Sequence, residues 1–366
     1  MNSTEGESQQ KERILVTGAS GYLAGHICKA LLLQGYRVRG SVRSIASKRS
    51  AHLQAPSPLG VKGGEIELVE LDLTRDKGWT AAAEGCDAVL HVASPLPMDV
   101  GYFTDPSIIE EAREGTLRCL EAAAAAGVRR VVLTSSLAAT LYPTGDPRDP
   151  LDAHAPPIDE SCWTPTDQWE RLGSYHCSKA AAERAAWDFV EARGEHCFEL
   201  VTINPSVVIG PLLTPSVRAS IALFYRIVAG KLPALPKGPI LSPYVDVRDV
   251  ADAHLEALRR PEAAGRRYLV HHQHVELRAL LDTLAPEYRS RGVPWPRWNL
   301  PRWLIRALSI VSDDAKMLHL MLQNSAAEVR AIDGSRATRE LGIHYRSIST
   351  AVRDTLDSLI DLKKRD

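Results

Sequence analysis

A short β-branched run, Ile14 to Thr17, leads without a linker into Thr17-Gly18-Ala19-Ser20-Gly21-Tyr22-Leu23-Ala24-Gly25, and helix-forming residues begin inside that turn. This order describes a strand that passes through a tight glycine turn into a helix, whose first N–H groups stay free to bind an anion. The alternation then repeats. Further strands are predicted at Arg37 to Val42, Ile66 to Leu71, Ala88 to Val92, Arg130 to Thr134 and Phe198 to Ile203. Helices are predicted between them at Tyr22 to Gln34, about Ser107 to Ala126 and Ser174 to Ala192. Most of the strands are apolar runs rather than alternating ones, as a parallel sheet covered on both faces requires.

The expected fold class is therefore α/β: a Rossmann-type doubly wound parallel sheet with a smaller, mostly helical C-terminal substrate lobe. Residues 1–11 read as a polar, disordered tail. Residues 12–204 read as a dinucleotide-binding domain, to which 240–260 return, and 205–239 with 261–366 as the substrate-binding lobe. In the last part helices are separated by Pro-rich turns such as Pro233 to Pro243 and Pro294 to Pro301, with a short strand at Tyr268 to Val270. The Pro- and Asp-rich stretch Tyr142 to Gln168 is expected to be an extended surface loop.

Over the 366 residues, 44 Lys+Arg oppose 45 Asp+Glu, and the formal charge of −1 offers no footprint for nucleic acid or an acidic membrane. No apolar run approaches the roughly 18 residues of a spanning helix, and Met1 to Arg13 carries no apolar leader segment. A soluble, cytoplasmic protein without nucleic-acid or membrane partners is expected. The six cysteines (Cys28, Cys86, Cys119, Cys162, Cys177 and Cys197) lack zinc-ligand spacing and read as reduced, buried small hydrophobes, with a redox role left open for Cys162 and Cys177. The run His271-His272-Gln273-His274 has no supporting Cys or acid cluster, so no metal site is expected. His91 and His254 read as structural histidines.

The near-zero charge averages over an uneven chain. Not one Asp or Glu occurs from Arg13 to Gly64, while Arg37, Arg39, Arg43, Lys48 and Arg49 cluster around the end of the second strand. An NAD site expects an acid about 20 residues after the glycines, to hold the ribose 2′-hydroxyl, whereas a 2′-phosphate wants an arginine. Arg43 stands at that strand end, which predicts NADP(H).

Tyr175-His176-Cys177-Ser178-Lys179 places a phenol and an ammonium four residues apart at the start of a helix, hence on one face. A free tyrosine, with a pKa of about 10, exchanges protons poorly at neutral pH, and a nearby cation lowers that value. Upstream, Leu133-Thr134-Ser135-Ser136 ends a predicted strand at the carboxyl edge of the sheet, where doubly wound folds bind ligands. Each feature alone is common. Their conjunction in one chain is not.

On these residues the chain resembles an extended short-chain dehydrogenase/reductase, and most the branch containing plant dihydroflavonol reductases, cinnamoyl-CoA reductases and yeast-type aldehyde or methylglyoxal reductases. Further matching stretches are Leu71-Asp72-Leu73, His91-Val92-Ala93-Ser94-Pro95, Asp159-Glu160-Ser161-Cys162-Trp163, Ile203-Asn204-Pro205, Gly210-Pro211, Val245 to Ala251 and Arg339-Glu340-Leu341-Gly342, in family order. One departure is Ala24 where the commoner turn has a third glycine, a position that serves helix packing.

The resemblance implies that Gly18, Ser20, Gly21 and the backbone at Tyr22 and Leu23 cradle a pyrophosphate, that Arg43 and Lys48 meet the 2′-phosphate, and that Asp72 and Leu73 flank the adenine. It puts Val92, Ala93 and Ser94 on the ribose side, Pro205, Val207 and Val208 at the nicotinamide, and Ser216 at a phosphate or ribose. Ser136, Tyr175 and Lys179 would be catalytic, the last two also contacting the cofactor. The implied activity is NADPH-dependent reduction of a small aldehyde or ketone by a monomer or homodimer. The alternatives are a 3β-hydroxysteroid dehydrogenase, a nucleotide-sugar epimerase/dehydratase, or a non-catalytic NADP(H) sensor. The substrate pocket is expected from Leu96 to Phe103, the Tyr142 to Trp169 region and the lobe after Pro211.

Overall fold

The computed structural model describes residues 11–95, 105–194, 197–214, 217, 220–238, 241–310, 312, 315, 318–319, 322 and 328–364. Ser216 and the predicted pocket stretch Leu96 to Phe103 lie outside the described residues. The chain begins with β1 (Arg13–Val16), α1 (Tyr22–Leu33), β2 (Arg37–Val42), β3 (Ile66–Glu70), α2 (Trp79–Ala83) and β4 (Ala88–His91). It continues through α3 (Ser107–Ala125), β5 (Arg130–Thr134), α4 (Trp169–Leu172), α5 (Ser174–Arg193), β6 (Glu199–Pro205) and β7 (Val207–Ile209). Then follow α6 (Ser220–Val228), β8 (Ala234–Pro236), β9 (Leu241–Asp246), α7 (Val247–Arg259) and β10 (Arg266–Val270). After these come β11 (Gln273–Glu276), α8 (Leu277–Ser290), β12 (Trp298–Leu300), α9 (Arg302–Leu308) and helices at Ser335–Leu341 and Ile348–Lys363.

Seven strands form one sheet in the order β10-β6-β5-β4-β1-β2-β3, and every pairing in it is parallel. Its apolar strands are buried on both faces because neighbouring residues go to opposite sides. Ile14 and Val16 join one core with Leu31 of α1 and Leu258 of α7, while Leu15 joins another with Leu120 of α3 and Phe189 of α5. The strand order reverses between β1 and β4. In doubly wound sheets the crevice at the carboxyl ends of such strands is the ligand site.

A third core gathers Ile209, Phe224, Tyr244, Leu281, Tyr288, Trp295, Ile305 and Leu356. Trp295 stacks on Tyr288 there, whereas Trp298 and Trp303 are exposed. This part is not purely helical, since β7, β9 and β11 form a three-stranded sheet and β8 pairs with β12. One boundary needs correction. β10, assigned above to the substrate lobe, pairs with β6 from Arg266↔Val201 to Val270↔Pro205 and completes the large sheet. Tyr268, Leu269 and Val270 are all fully buried, Tyr268 and Val270 in the core with Leu258 and Leu269 against Leu137 and Ile158, so both faces of β10 are covered.

Candidate active site

The glycine turn is seated on its neighbours by hydrogen bonds. Gly18 N–H donates to Ser41 Oγ at 3.1 Å, Ala19 N–H to Ser41 O at 2.8 Å, and Gly21 N–H to Gly18 O at 2.8 Å. Gly18 has φ +68°, and a Cβ there would sit 3.2 Å from Ala93 Cβ, so the turn closes against the chain leaving β4 only with glycine. Helix α1 then begins at Tyr22 with no side-chain cap and no acid in its first turn. Its N-terminal N–H groups are thus left for an anion.

Ala24 is buried and fits without a clash, and the close approach of α1 is made by Gly25 instead. A Cβ on Gly25 would lie 2.9 Å from Thr214 Cγ2. The Tyr22 side chain does something its backbone role did not suggest: its hydroxyl donates to Gly210 O at 2.9 Å. His26 Nε2 reaches Pro211 O at 2.8 Å. Together they tie the start of α1 to the chain after β7.

The basic strand end is smaller than the arginine count implies. Arg39 is buried, donates to Ala82 O and Glu84 O at 2.8 Å each, and pairs with Glu67 at 2.9 Å, so it is structural. Arg37 lies at the opposite end of β2, in register with Arg13. Strand direction makes the difference, because only residues after Val42 reach the carboxyl edge. Arg43, Lys48 and Arg49 do so and are exposed. Beside them Asp72 accepts from Thr74 N–H and Oγ1 at 2.9 and 2.8 Å, bonds that, with nearby Arg43 and Arg75, hold its carboxyl below the usual range.

Thr17 and His91 close the switch point. Thr17 Oγ1 accepts from Val92 N–H and Ala93 N–H, both at 2.9 Å, and lies 2.9 Å from His91 Nδ1. With both lone pairs occupied, the hydroxyl must give its proton to Nδ1, so His91 carries its own on Nε2. Burial, with Lys179 nearby, pulls the His91 pKa down to about 3. His91 is therefore neutral and structural. His254 is too, spanning Thr134 Oγ1 at 2.7 Å and Val250 O at 2.8 Å.

The tyrosine and serine meet at the carboxyl edge, and the lysine reaches the chain leaving β4. Tyr175 and Lys179 rise from the first turns of α5, and Tyr175 OH donates to Ser136 Oγ at 3.4 Å. Ser136 Oγ also accepts from Ala138 N–H at 3.1 Å, which fixes its rotamer. Lys179 Nζ donates to Ser94 Oγ at 3.1 Å. The ammonium is buried, and loss of solvation, partly offset by Glu183, brings its pKa down to about 8. A phenol within reach of a hydroxyl and beside a buried cation can transfer a proton to or from a substrate oxygen. Pro205 ends β6, and half-buried Val207 and Val208 lie in β7.

Several residues without a motif take part. The side chains of Ser41, Thr17 and Tyr22 find partners far off in the chain, which no local pattern marks. Ser135 points away from the crevice, donating to Glu183 Oε2 at 2.6 Å. Burial pushes the Cys177 thiol up to about 11, which removes the thiolate a redox role would need, and Cys162 Sγ sits 3.8 Å from Asp159 Oδ1. All six cysteines are free thiols.

The chain is 36% identical over 281 residues to cinnamoyl-CoA reductase 1 of Arabidopsis thaliana, covering 75% of each chain, and 38% identical over 255 residues to that of Petunia hybrida, covering 69% of this chain and 71% of that one. Among solved structures it resembles the yeast methylglyoxal/isovaleraldehyde reductase Gre2 complexed with NADPH, at 26% identity and a TM-score of 0.75 over 97% of this chain and 100% of that chain. The UDP-glucose-4-epimerase of Stenotrophomonas maltophila shares the fold, at 22% identity and a TM-score of 0.74, covering 97% of this chain and 100% of that one. The NAD dependent epimerase/dehydratase family matches residues 14–270, and the chain belongs to that family.

Proposed function

We propose that this protein reduces an aldehyde or ketone to the alcohol, with NADPH as its cofactor. The observation that carries the reading is the Tyr175 to Ser136 hydrogen bond with Lys179 one turn further along the same helix, held at Ser94 on the chain leaving β4. The residues suit the cofactor. Gly18 and Gly21 would let a pyrophosphate approach the backbone closely, Ser20 and the N–H groups of Tyr22 and Leu23 at the uncapped start of α1 would bind it, and the exposed cations Arg43 and Lys48 suit a 2′-phosphate. Asp72, Leu73, Val92, Ala93 and Ser94 would line the rest of the dinucleotide, with Pro205, Val207 and Val208 toward the nicotinamide.

The chemistry NADPH supplies when bound is a hydride for the carbonyl carbon. Tyr175 donates its proton to the carbonyl oxygen as negative charge develops there. Ser136 Oγ hydrogen-bonds the same oxygen and orients it. Lys179, one turn along the helix, supplies the positive charge that favours release of the phenol's proton, and would hold the cofactor's ribose when it is bound. A small carbonyl compound is the partner, and a cytoplasmic location goes with this role.

The relatives at 36% and 38% identity carry reductase names, which favours reduction over epimerisation. A panel of aldehydes, ketones, flavanonols and acyl-CoA thioesters, followed by NADPH absorbance, tests the reading. Turnover of at least one carbonyl is expected. No turnover across the panel, with a nicotinamide cofactor that stays bound through gel filtration, would replace it with epimerase chemistry.

A further inference from the structure

A buried polar cluster centred on Glu183 stands behind Ser136. Glu183 lies four residues after Lys179 on α5, and its carboxylate is fully buried. Its Oε2 accepts from Ser135 Oγ at 2.6 Å and Asn204 Nδ2 at 2.7 Å, and its Oε1 from Thr202 Oγ1 at 2.8 Å. Arg267 of β10 pairs with it through Nε to Oε1 at 2.7 Å and Nη2 to Oε2 at 3.3 Å. Burial alone would raise the Glu183 pKa, but the Arg267 charge and these hydrogen bonds outweigh it and hold the group ionised.

Two features set this cluster apart from a simple staple. Two of its bonds lead to Ser136, and its counter-ion holds a neighbouring loop. Ser135 precedes Ser136 in the chain, and Asn204 Nδ2, bonded to Glu183, also donates to Ser136 O at 3.3 Å. Arg267 Nη1 donates to Glu160 O at 2.5 Å and Cys162 O at 3.0 Å, and its guanidinium stacks 3.6 Å over Trp163, whose ring Arg184 also contacts at 4.4 Å. Moreover, Glu183 is the carboxylate that acts on the Lys179 charge. The other groups facing Lys179 are Ser94, Tyr175 one turn earlier, and neutral His91 on β4.

We infer that Glu183 is a positioning residue for the reaction, with Arg267 as its counter-ion. Its carboxylate fixes the backbone that carries Ser136, keeps the Lys179 ammonium charged, and through Arg267 couples α5 to the Glu160 to Trp163 loop. The inference rests on the carbonyl-reductase reading. A buried pair of this kind is weak evidence for stability, because well-packed apolar residues often replace it without loss. Its value here is electrostatic and geometric. Removing the negative charge makes a proton easier to lose from the Tyr175 and Lys179 pair, so the alkaline limb of the reduction profile moves to lower pH.

The test compares Glu183→Gln, the double variant Glu183→Gln with Arg267→Met, and Ser135→Ala. Each is measured for Tm, NADPH Kd, and the pH dependence of kcat on a carbonyl the wild type reduces. Glu183→Gln is expected to lower kcat about ten- to hundredfold, by displacing Ser136, and to shift its alkaline limb down by about one pH unit, with NADPH affinity largely kept. The double variant should recover Tm, since no unpaired charge remains, yet keep the shifted limb. Wild-type kcat and pH profile in folded Glu183→Gln, or recovery of both with Tm in the double variant, would show a merely structural pair and overturn the inference. If Glu183→Gln does not fold, Ser135→Ala decides: it leaves the ion pair intact and should still lower kcat about tenfold, and an unchanged kcat overturns the positioning role. A wild type inactive on every carbonyl would instead defeat the functional reading.

Discussion

Lys179 Nζ donates to Ser94 Oγ at 3.1 Å, joining the helix that carries the tyrosine to the chain leaving β4. The contact holds a buried cation against the chain at the carboxyl end of β4. Its neighbour one helical turn earlier, Tyr175, donates to Ser136 from the same side.

Replacing Tyr175 with Phe keeps the ring and removes the proton donor. Turnover should fall by about a hundred- to ten-thousandfold, the usual span for losing a general acid, while NADPH binding survives. Steady-state kinetics alongside fluorescence titration of NADPH check both halves. Near wild-type turnover would contradict the assignment.

Arg43→Ala tests the cofactor preference. A charge-assisted bond to a phosphate is worth about 1.5–3 kcal/mol, so NADPH should bind about ten- to a hundredfold more weakly while NADH is unaffected. Calorimetric titration of both cofactors with wild type and variant measures the difference. Equal losses for the two would mean that Arg43 does not meet the 2′-phosphate.

Thr17→Val removes a hydroxyl that satisfies two backbone N–H groups and His91. The buried donors left behind cost about 1–3 kcal/mol each. Chemical denaturation should show that loss, and the loosened Val92 to Ser94 segment should weaken NADPH binding in parallel. Unchanged stability and affinity would refute the latch.

Acid should destabilise the protein early. His26, His91, His254 and His271 are buried, and burial pulls their pKa values to about 4, 3, 4 and 3. Unfolded histidine titrates near 6.5, so below that pH the unfolded chain binds protons that the folded one refuses. This contribution to stability is intact above about pH 6.5 and is lost as pH falls toward the folded values. Tm recorded from pH 8 to pH 4 should decline from about 6.5 downward, and His254→Asn should flatten the slope. A flat Tm over that range would sink the prediction.

How far the chain could be read without its structure depended on the range of the interactions. The Gly18 to Leu23 turn, the order of the strands and the Tyr175 and Lys179 pair are local features, set by backbone geometry and helical spacing within a few residues. Charge sign was legible, but not where each charge sits. Arg39 and Arg43 look alike in a list of basic residues, and strand direction alone sends one to the Glu67 carboxylate and the other to the carboxyl edge.

The sequence by itself determined the alternation of strands and helices, the glycine turn that ends β1 and the four-residue spacing of Tyr175 and Lys179, because periodicity, glycine chemistry and helical spacing are short-range. Tertiary structure alone decided that β10 closes the sheet edge, that Gly25 rather than position 24 makes the close approach, that burial holds His91 neutral against Thr17, and that Glu183 stands behind Ser136. Each of those rests on contacts between segments tens to hundreds of residues apart, for which a polar side chain carries no mark until burial forces it to find its partner.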